Sequence, residues 1–572
     1  MNQVKHAENY GKVASLQAGL VTLAITPGYS YDAFNAVKLV FLGSFGASGL
    51  LLIILNIKSV KSILNKWTIA LMIALMASSI FIFLFSGLNL TQSFYGVSGR
   101  NTGFLAFFSF LLIMLSAALV STSTVRSRIV NALLVSALIS ISYSLLQYTG
   151  NDPVGWDSPS GSSVIGFLGN PNFQSAFLAI SAIVAYAKLL DSNSRVPKRI
   201  LYVLIIAGSI IGMVGANATQ GFIVLFLGIA AVSYFFARSA FKTRVPSRLI
   251  IFGSGTGLIV GVLDIIQKVP WDPFLYGETI SFRGDFWRAG WNMMMSHPIF
   301  GVGFDGYLNF YRRSRDVVAS TRPAAETPTD AAHNVFLDYA SNGGAIFLVL
   351  NLLLIVLIAI AGIKFIFASK NYDSNFAAIF SAWLGYLAQA VVSINQIGLA
   401  VWGWLLGGLI LGVQKVSVIS SSPAPVNSSS RNKKKGDGYF GTTIALTSII
   451  GGMTALPIFT ADHKFKLAVD SRQALDLYNS ALSSPKSTKV MVLVGSILNE
   501  NKIYKDSLVL SKEAVEFNPD SFEAWIVYAS NPLLNEAELE KAKGELARLD
   551  PNINKLGGID KYLAEKLAQT AG

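Results

Sequence analysis

The sequence predicts an all-α fold: a polytopic membrane helix bundle of about 12 to 13 spans, with one long outer loop and a C-terminal helical repeat-like domain. Three observations carry this. The 572 residues are 52% hydrophobic and only 13% charged, with a mean hydropathy of +0.52, whereas a soluble chain of this size needs far more polar surface. Apolar runs of spanning length recur along the chain. The net charge of +13 lies mostly in short loops, which points to cytoplasmic loops before any nucleic-acid surface, and no nucleic-acid partner is expected.

In chain order, residues 1–12 are polar and lead into an apolar stretch without an obvious cleavage site, so that stretch reads as a retained span rather than a signal peptide. The apolar runs cover 13–25, 36–55, 67–88, 102–120, 129–148, 173–190, 200–215, 222–237 and 249–266. After a long gap come 345–367, 376–394 and 397–413, and a last run covers 439–459. Alternate loops carry the basic residues: Lys58, Lys61 and Lys66; Arg126 and Arg128; Lys188, Arg195, Lys198 and Arg199; Arg238, Lys242, Arg244 and Arg248; Lys364 and Lys370. The positive-inside rule places those loops and the N-terminus in the cytoplasm. Loops 89–101, 150–172 and 267–344 then face outward from a cytoplasmic (inner) membrane. With no cysteine, there is neither a disulfide framework nor a thiolate metal site.

The expected organisation is a membrane domain at 1–419 with its outer loop at 267–344, then a Ser/Pro-rich cytoplasmic linker at 420–438 that includes Lys433, Lys434 and Lys435. An additional span at 439–459 and an outward-facing helical domain at 460–572 complete it. In that last domain Pro485, Pro519 and Pro551 recur at spacings of 34 and 32 residues, among Gly495, Ala514 and Trp525. The pattern resembles tetratricopeptide repeats, whose paired helices bury their apolar faces by stacking and commonly bind a peptide or protein partner. Ser507 and Lys541 stand where small residues are usual.

The outer loop departs most from a plain bundle. It carries Arg283, Arg288, Arg312, Arg313, Arg315 and Arg322 on the side where topology thins such residues out. Two readings are open: ion pairs with Asp285, Asp305, Asp316 and Glu326 or with lipid heads, or a phosphate ligand held bidentately by guanidinium forks. The segment "SFRGDFWRAGWNMMMSHP" predicts an amphipathic helix from near Ser281 to before Pro298, at the membrane interface. Arg283, Trp287, Trp291 and Met294 fall near one face, and Arg288 lies roughly 140° from Arg283. The aromatics Trp271, Phe274, Tyr276, Tyr307, Phe310 and Tyr311 fit an interfacial belt or a sugar-stacking surface. Gly301, Gly303 and Gly306 permit tight turns or close approach.

His333, one of four histidines, stands in "TPTDAAHNVFLDYASNGG", where Asp330 is expected to cap a helix with His333 in its first turn. A helix N-terminus disfavours imidazolium and attracts anions, so a neutral ring beside bound phosphate is suited to accept a proton from a hydroxyl. The competing reading is a histidine that anchors the interface or bonds a backbone carbonyl.

The succession "SFRGDFWRAGW", "HPIFGVGFDGY" and "AAHNVFLDYASNGG", followed by "QAVVSINQIGLAVWGWLLGGLI" and preceded by "GVSGRNTGF" and "GFLGNPNFQSA", resembles the bacterial O-antigen ligase and polysaccharide polymerase superfamily over about residues 96–412. The resemblance implies a metal-independent glycosyltransferase without a cofactor. It would take a glycan from a polyprenyl diphosphate carrier and join it to a hydroxyl of a lipid, glycan or protein acceptor. His333 matches the histidine that activates the acceptor. Arg283 or Arg288 matches a diphosphate arginine, with Arg100, Arg312 and Arg313 as further diphosphate candidates and Asn334, Gln220 and Asp305 as acceptor or positioning candidates. One departure is Thr219, Gln220, Gly221 where many members have Ser-Arg-Gly, so a second fixed cation must come from elsewhere. A transporter or flippase, with polar groups near the midplane such as Gln389, and a non-catalytic envelope-assembly scaffold are the alternative classes.

Overall fold

The computed structural model describes residues 2–154, 156, 164–271, 278–321, 329–421 and 433–564, and no strand occurs among them. Phe274, Tyr276, Arg322 and Glu326 lie outside the described residues. The helices preceding the long loop are α1 (Asn2–Leu23), α2 (Asn35–Leu55), α3 (Ile57–Ile63), α4 (Lys66–Phe85), α5 (Leu90–Tyr95), α6 (Phe104–Leu119), α7 (Ser123–Tyr148), α8 (Pro171–Leu189), α9 (Val196–Ala216), α10 (Thr219–Ala240) and α11 (Val245–Ile265). The loop itself carries α12 (Glu278–Ser296) and α13 (Tyr307–Ser314). Then follow α14 (Val335–Ala368), α15 (Ser374–Val392), α16 (Ile397–Ser421) and α17 (Lys433–Ser471). The C-terminal helices are α18 (Ala474–Ala481), α19 (Thr488–Glu500), α20 (Tyr504–Phe517), α21 (Phe522–Ala529) and α22 (Glu536–Leu549).

Ten of these are long and apolar enough to cross a membrane, and α6 and the 397–413 part of α16 are shorter apolar helices. The chain is a polytopic helical membrane protein. The expected run at 13–25 lies in the second half of α1, which is not among the ten. Its first half carries Lys5, Glu8 and Lys12, which lower its hydropathy.

Small residues let the spans approach closely where lipid supplies no hydrophobic drive between helices. Gly43 of α2 faces Gly451 of α17, where a Cβ at Gly43 would stand 2.7 Å from the Gly451 carbonyl oxygen. Gly408 and Gly412 of α16 likewise sit against the Met114 and Ala118 carbonyls of α6. The core between them is apolar: Leu39, Leu42, Phe45, Trp402, Leu409 and Ile410 are fully buried. The α17 helix, anchored on α2, runs unbroken to Ser471, past the expected boundary at 460, and so delivers the C-terminal helices to the face of the long loop. There Asp462 accepts from the Asp32 amide at 2.9 Å.

The C-terminal helices have their own core of Met491, Val494, Leu498, Leu510, Ala514, Trp525 and Leu546. Ser507 takes a small-residue position with the help of a hydrogen bond: fully buried, it donates to the Gly495 carbonyl at 2.9 Å.

Where the chain re-enters the bundle, α14 is broken at Gly344 (φ 77°). The break takes the Ser341 and Asn342 carbonyls out of the helical ladder, and the glycine turn after α12 supplies donors: Val302 N to Ser341 O at 2.8 Å and Gly303 N to Asn342 O at 3.0 Å. Ala345 N in turn donates to Pro298 O at 2.9 Å. A Cβ at Gly344 would lie 2.5 Å from that Pro298 oxygen, in a backbone region, φ 77° and ψ 179°, that is essentially reserved for glycine and costs an L-residue about 1–3 kcal/mol by itself. Gly344→Ala is therefore expected to lower stability by at least that much, read as a drop in the thermal unfolding midpoint in detergent.

Candidate functional site

Three stretches far apart in sequence meet beside the start of α14. The first is the turn 96–103 between α5 and α6, held by Asp305. Buried at 5% exposure, Asp305 accepts from the Val97 amide at 3.1 Å and the Thr102 amide at 3.1 Å through Oδ2. Its Oδ1 accepts from the Thr102 hydroxyl at 2.6 Å, and its carbonyl from Gln92 Nε2 at 3.0 Å. Only glycine fits opposite it, since a Cβ on Gly96 (φ 85°) would overlap Asp305 Oδ2. The proposed positioning residue Asp305 thus fixes the turn that carries Arg100.

Arg100 points from that turn into the second stretch, donating to the Asp330 carbonyl at 2.6 Å and to its carboxylate at 3.2 Å. Burial works against the Arg100 charge, yet the carboxylates of Asp330, Asp305 and Asp338 raise it above the ordinary arginine range. Its Nε is buried without a hydrogen-bond partner.

His333 follows three residues on. It does not occupy the first helical turn capped by Asp330, as expected. It stands just outside the helix in the left-handed region, at φ 52°, and Asn334 is the cap, accepting from the Phe336 and Leu337 amides at 3.0 and 3.1 Å. The reason is the competing use of Asp330, whose carboxylate and carbonyl face Arg100. The ring packs 5.7 Å from that of Phe286 on α12. Its pKa is pushed down to about 4: burial is the largest cause, Asp330 pulls it back up, and the Arg283 and Arg100 guanidiniums depress it further. The imidazole is neutral at pH 7.

The third stretch is α12, slightly longer than predicted, which buries Ala289 and Met293 against Val302, Tyr307, Tyr311 and Ala332. Of the two arginines proposed from it, Arg283 is half-buried, is an electrostatic neighbour of His333, and has no ion pair among the described residues. Arg288, on another face as the helical angle required, pairs with Asp285 and with Asp316 at 3.0 Å, with its side chain 55% exposed. For Arg288 the ion-pair reading of the loop holds. Arg288→Gln is expected to leave any transfer activity within about threefold of wild type, under ~0.7 kcal/mol, measured as initial rate.

Arg312 and Arg313 do not converge on His333. Arg312 faces Glu523 at 3.3 Å and Asp550 at 3.6 Å, Arg313 faces Asp520 at 2.8 Å, and Arg315 faces Asp550 at 2.7 Å. Together they join α13 to the C-terminal helices. Gln220, in the first turn of α10, is 5% exposed with neither amide atom hydrogen bonded.

One residue that sequence reasoning passed over belongs to this cluster. Asp338, buried in the first turn of α14, accepts from the Ala332 amide at 2.8 Å through Oδ1, and its Oδ2 has no partner. The signal was its position five residues after His333 in a segment already singled out.

Residues 172–352 match the O-antigen ligase family, a stretch that contains every proposed site residue except Arg100. No curated protein matches the chain. Over 172–352, then, this helical membrane protein is similar to the O-antigen ligase family.

Proposed function

We propose that the chain transfers or polymerises a glycan from a polyprenyl diphosphate carrier onto an acceptor hydroxyl, with the face of the long loop on the outer side of the cytoplasmic membrane. The observation that carries the reading is the neutral His333 imidazole beside Arg283, a guanidinium without a carboxylate partner among the described residues. The acceptor oxygen attacks the anomeric carbon, His333 takes the hydroxyl proton, and the bond from that carbon to the diphosphate oxygen breaks. Arg283 meets the charge that develops on the leaving diphosphate. At 4 Å and an effective dielectric near 20, one such contact is worth about 4 kcal/mol, and fixed donors aimed at developing charge act without reorganisation. Arg100 works through Asp330 by holding the chain that presents His333, and Asp305 works through Arg100. On this reading the cations carry the electrostatic role a metal has elsewhere, and the acceptor is a lipid, a glycan or a protein. The C-terminal helices are read as the tetratricopeptide-like domain, with the outer loop of the same chain occupying one of its faces.

The test supplies purified protein with a carrier-linked glycan and candidate acceptors, and compares wild type with Arg283→Ala and His333→Ala. Loss of transfer by folded variants supports the reading. Full transfer by His333→Ala removes the base. An unmodified acceptor together with lipid crossing vesicles would establish a flippase instead.

A further inference from the structure

On the face opposite the long loop, α10 and α14 end side by side and α15 begins. Between them lies a cavity of about 380 Å³. Three cations line it, Arg238, Arg244 and Lys370, and none of them has an ion pair among the described residues. Arg238 is spread over the Phe367 ring at 4.0 Å, and Arg244 reaches back to donate to the Arg238 carbonyl at 3.0 Å, which holds its guanidinium at the end of α10. The single lining carboxylate, Asp373, is already engaged: it accepts from the Phe376 amide at 3.0 Å as the cap of α15 and faces Arg126 at 3.8 Å. The lining is therefore net cationic. Its remaining wall mixes aromatic residues, among them Phe235, Phe365 and Tyr372, with small and polar ones such as Ser239 and Asn371.

The surroundings say which anion fits. Phe367 is 55% exposed, and Ile363, one helical turn before it, is 46% exposed on the same side of α14, while Phe241 at the end of α10 is 52% exposed. Those apolar groups sit on spans whose outer surface faces lipid, so the cationic end opens onto a path for hydrocarbon. A free phosphate would use the cations and leave this path unfilled. Basic pockets between spans at the membrane surface suit lipid headgroups, and a guanidinium fork suits a phosphodiester.

We propose that this cavity binds an anionic phospholipid, with its phosphate on Arg238, Arg244 and Lys370 and its chains along Phe367 and Ile363. The site lies across the membrane from His333 and does not depend on the transfer reading. The test uses the purified full chain in detergent. Native mass spectrometry should find phosphatidylglycerol retained at least tenfold more tightly than phosphatidylcholine, with the preference lost in the triple variant Arg238→Gln, Arg244→Gln, Lys370→Gln. A photoactivatable phosphatidylglycerol, needing no variant, should label residues 235–245 and 365–377 of the wild-type chain. Equal retention of the two lipids, or labelling confined to other segments, would overturn the proposal. So would complete displacement of the lipid by millimolar inorganic phosphate, which would make this a phosphate site.

Discussion

His333→Ala is expected to slow glycan transfer by about 10²–10⁴-fold, the range that a positioned general base contributes, or about 3 to 5 kcal/mol in the barrier. The pH dependence separates this role from a structural one. A base acts in its neutral form, so activity is retained above the pKa and falls as pH drops through it. With His333 pushed down to about 4 by burial and by Arg283 and Arg100, the acid limb of kcat/KM lies near pH 4, well below the ordinary histidine value of about 6.5. Removing a neighbouring cation with Arg283→Gln should raise that limb. Removing the opposing anion with Asp330→Asn should lower it. A limb near 6.5 that neither substitution moves would rule out His333 as the titrating base. The same depression carries a stability consequence: between pH 6.5 and about 4 the unfolded chain binds the proton and the folded one does not, so this site loses stability as pH falls through that window.

Asp550→Ala is expected to release the C-terminal helices from the outer loop. Asp550 is 2% exposed between Arg315 at 2.7 Å and Arg312 at 3.6 Å, whose side chains are 1% and 6% exposed. Deleting one partner of a buried pair leaves its charge desolvated, at a cost of about 3–5 kcal/mol. Hydrogen exchange should report it as lost protection in 307–315 and in α22, while the core of α2, α6 and α16 keeps its own. Unchanged protection at both edges would mean that other contacts hold the junction. The junction matters to the site because α13 packs directly on α12, the helix that carries Arg283.

Much of this was legible from residue order. Hydropathy period and length located every span that the fold contains, because backbone groups in lipid have no partner except their own helix. The "HNVF", "GVGFDGY" and "SFRGDFW" segments pointed to the loop in which Arg283, Asp305 and His333 lie, and a 100° step per residue separated Arg283 from Arg288 before any contact was known.

What sequence could not decide was the assignment of charge to partner. Six loop arginines are chemically alike in the chain, and the fold sorts them by what happens to lie opposite. Glu523, Asp520 and Asp550, more than two hundred residues downstream, take Arg312, Arg313 and Arg315. Asp285 and Asp316 take Arg288, and Arg283 alone of those described is left without an ion pair while its charge acts on His333. The cap was decided in the same way, since Asp330 and Asn334 are both good caps by type and only the approach of Arg100 commits Asp330 elsewhere. The sequence by itself therefore determined which segments are helix and which are membrane, since these are local properties of composition and period. Tertiary structure alone decided which polar side chains are satisfied and which remain available, since that depends on distant neighbours, Arg100 with Asp330 in one place and Asp550 with Arg312 and Arg315 in another.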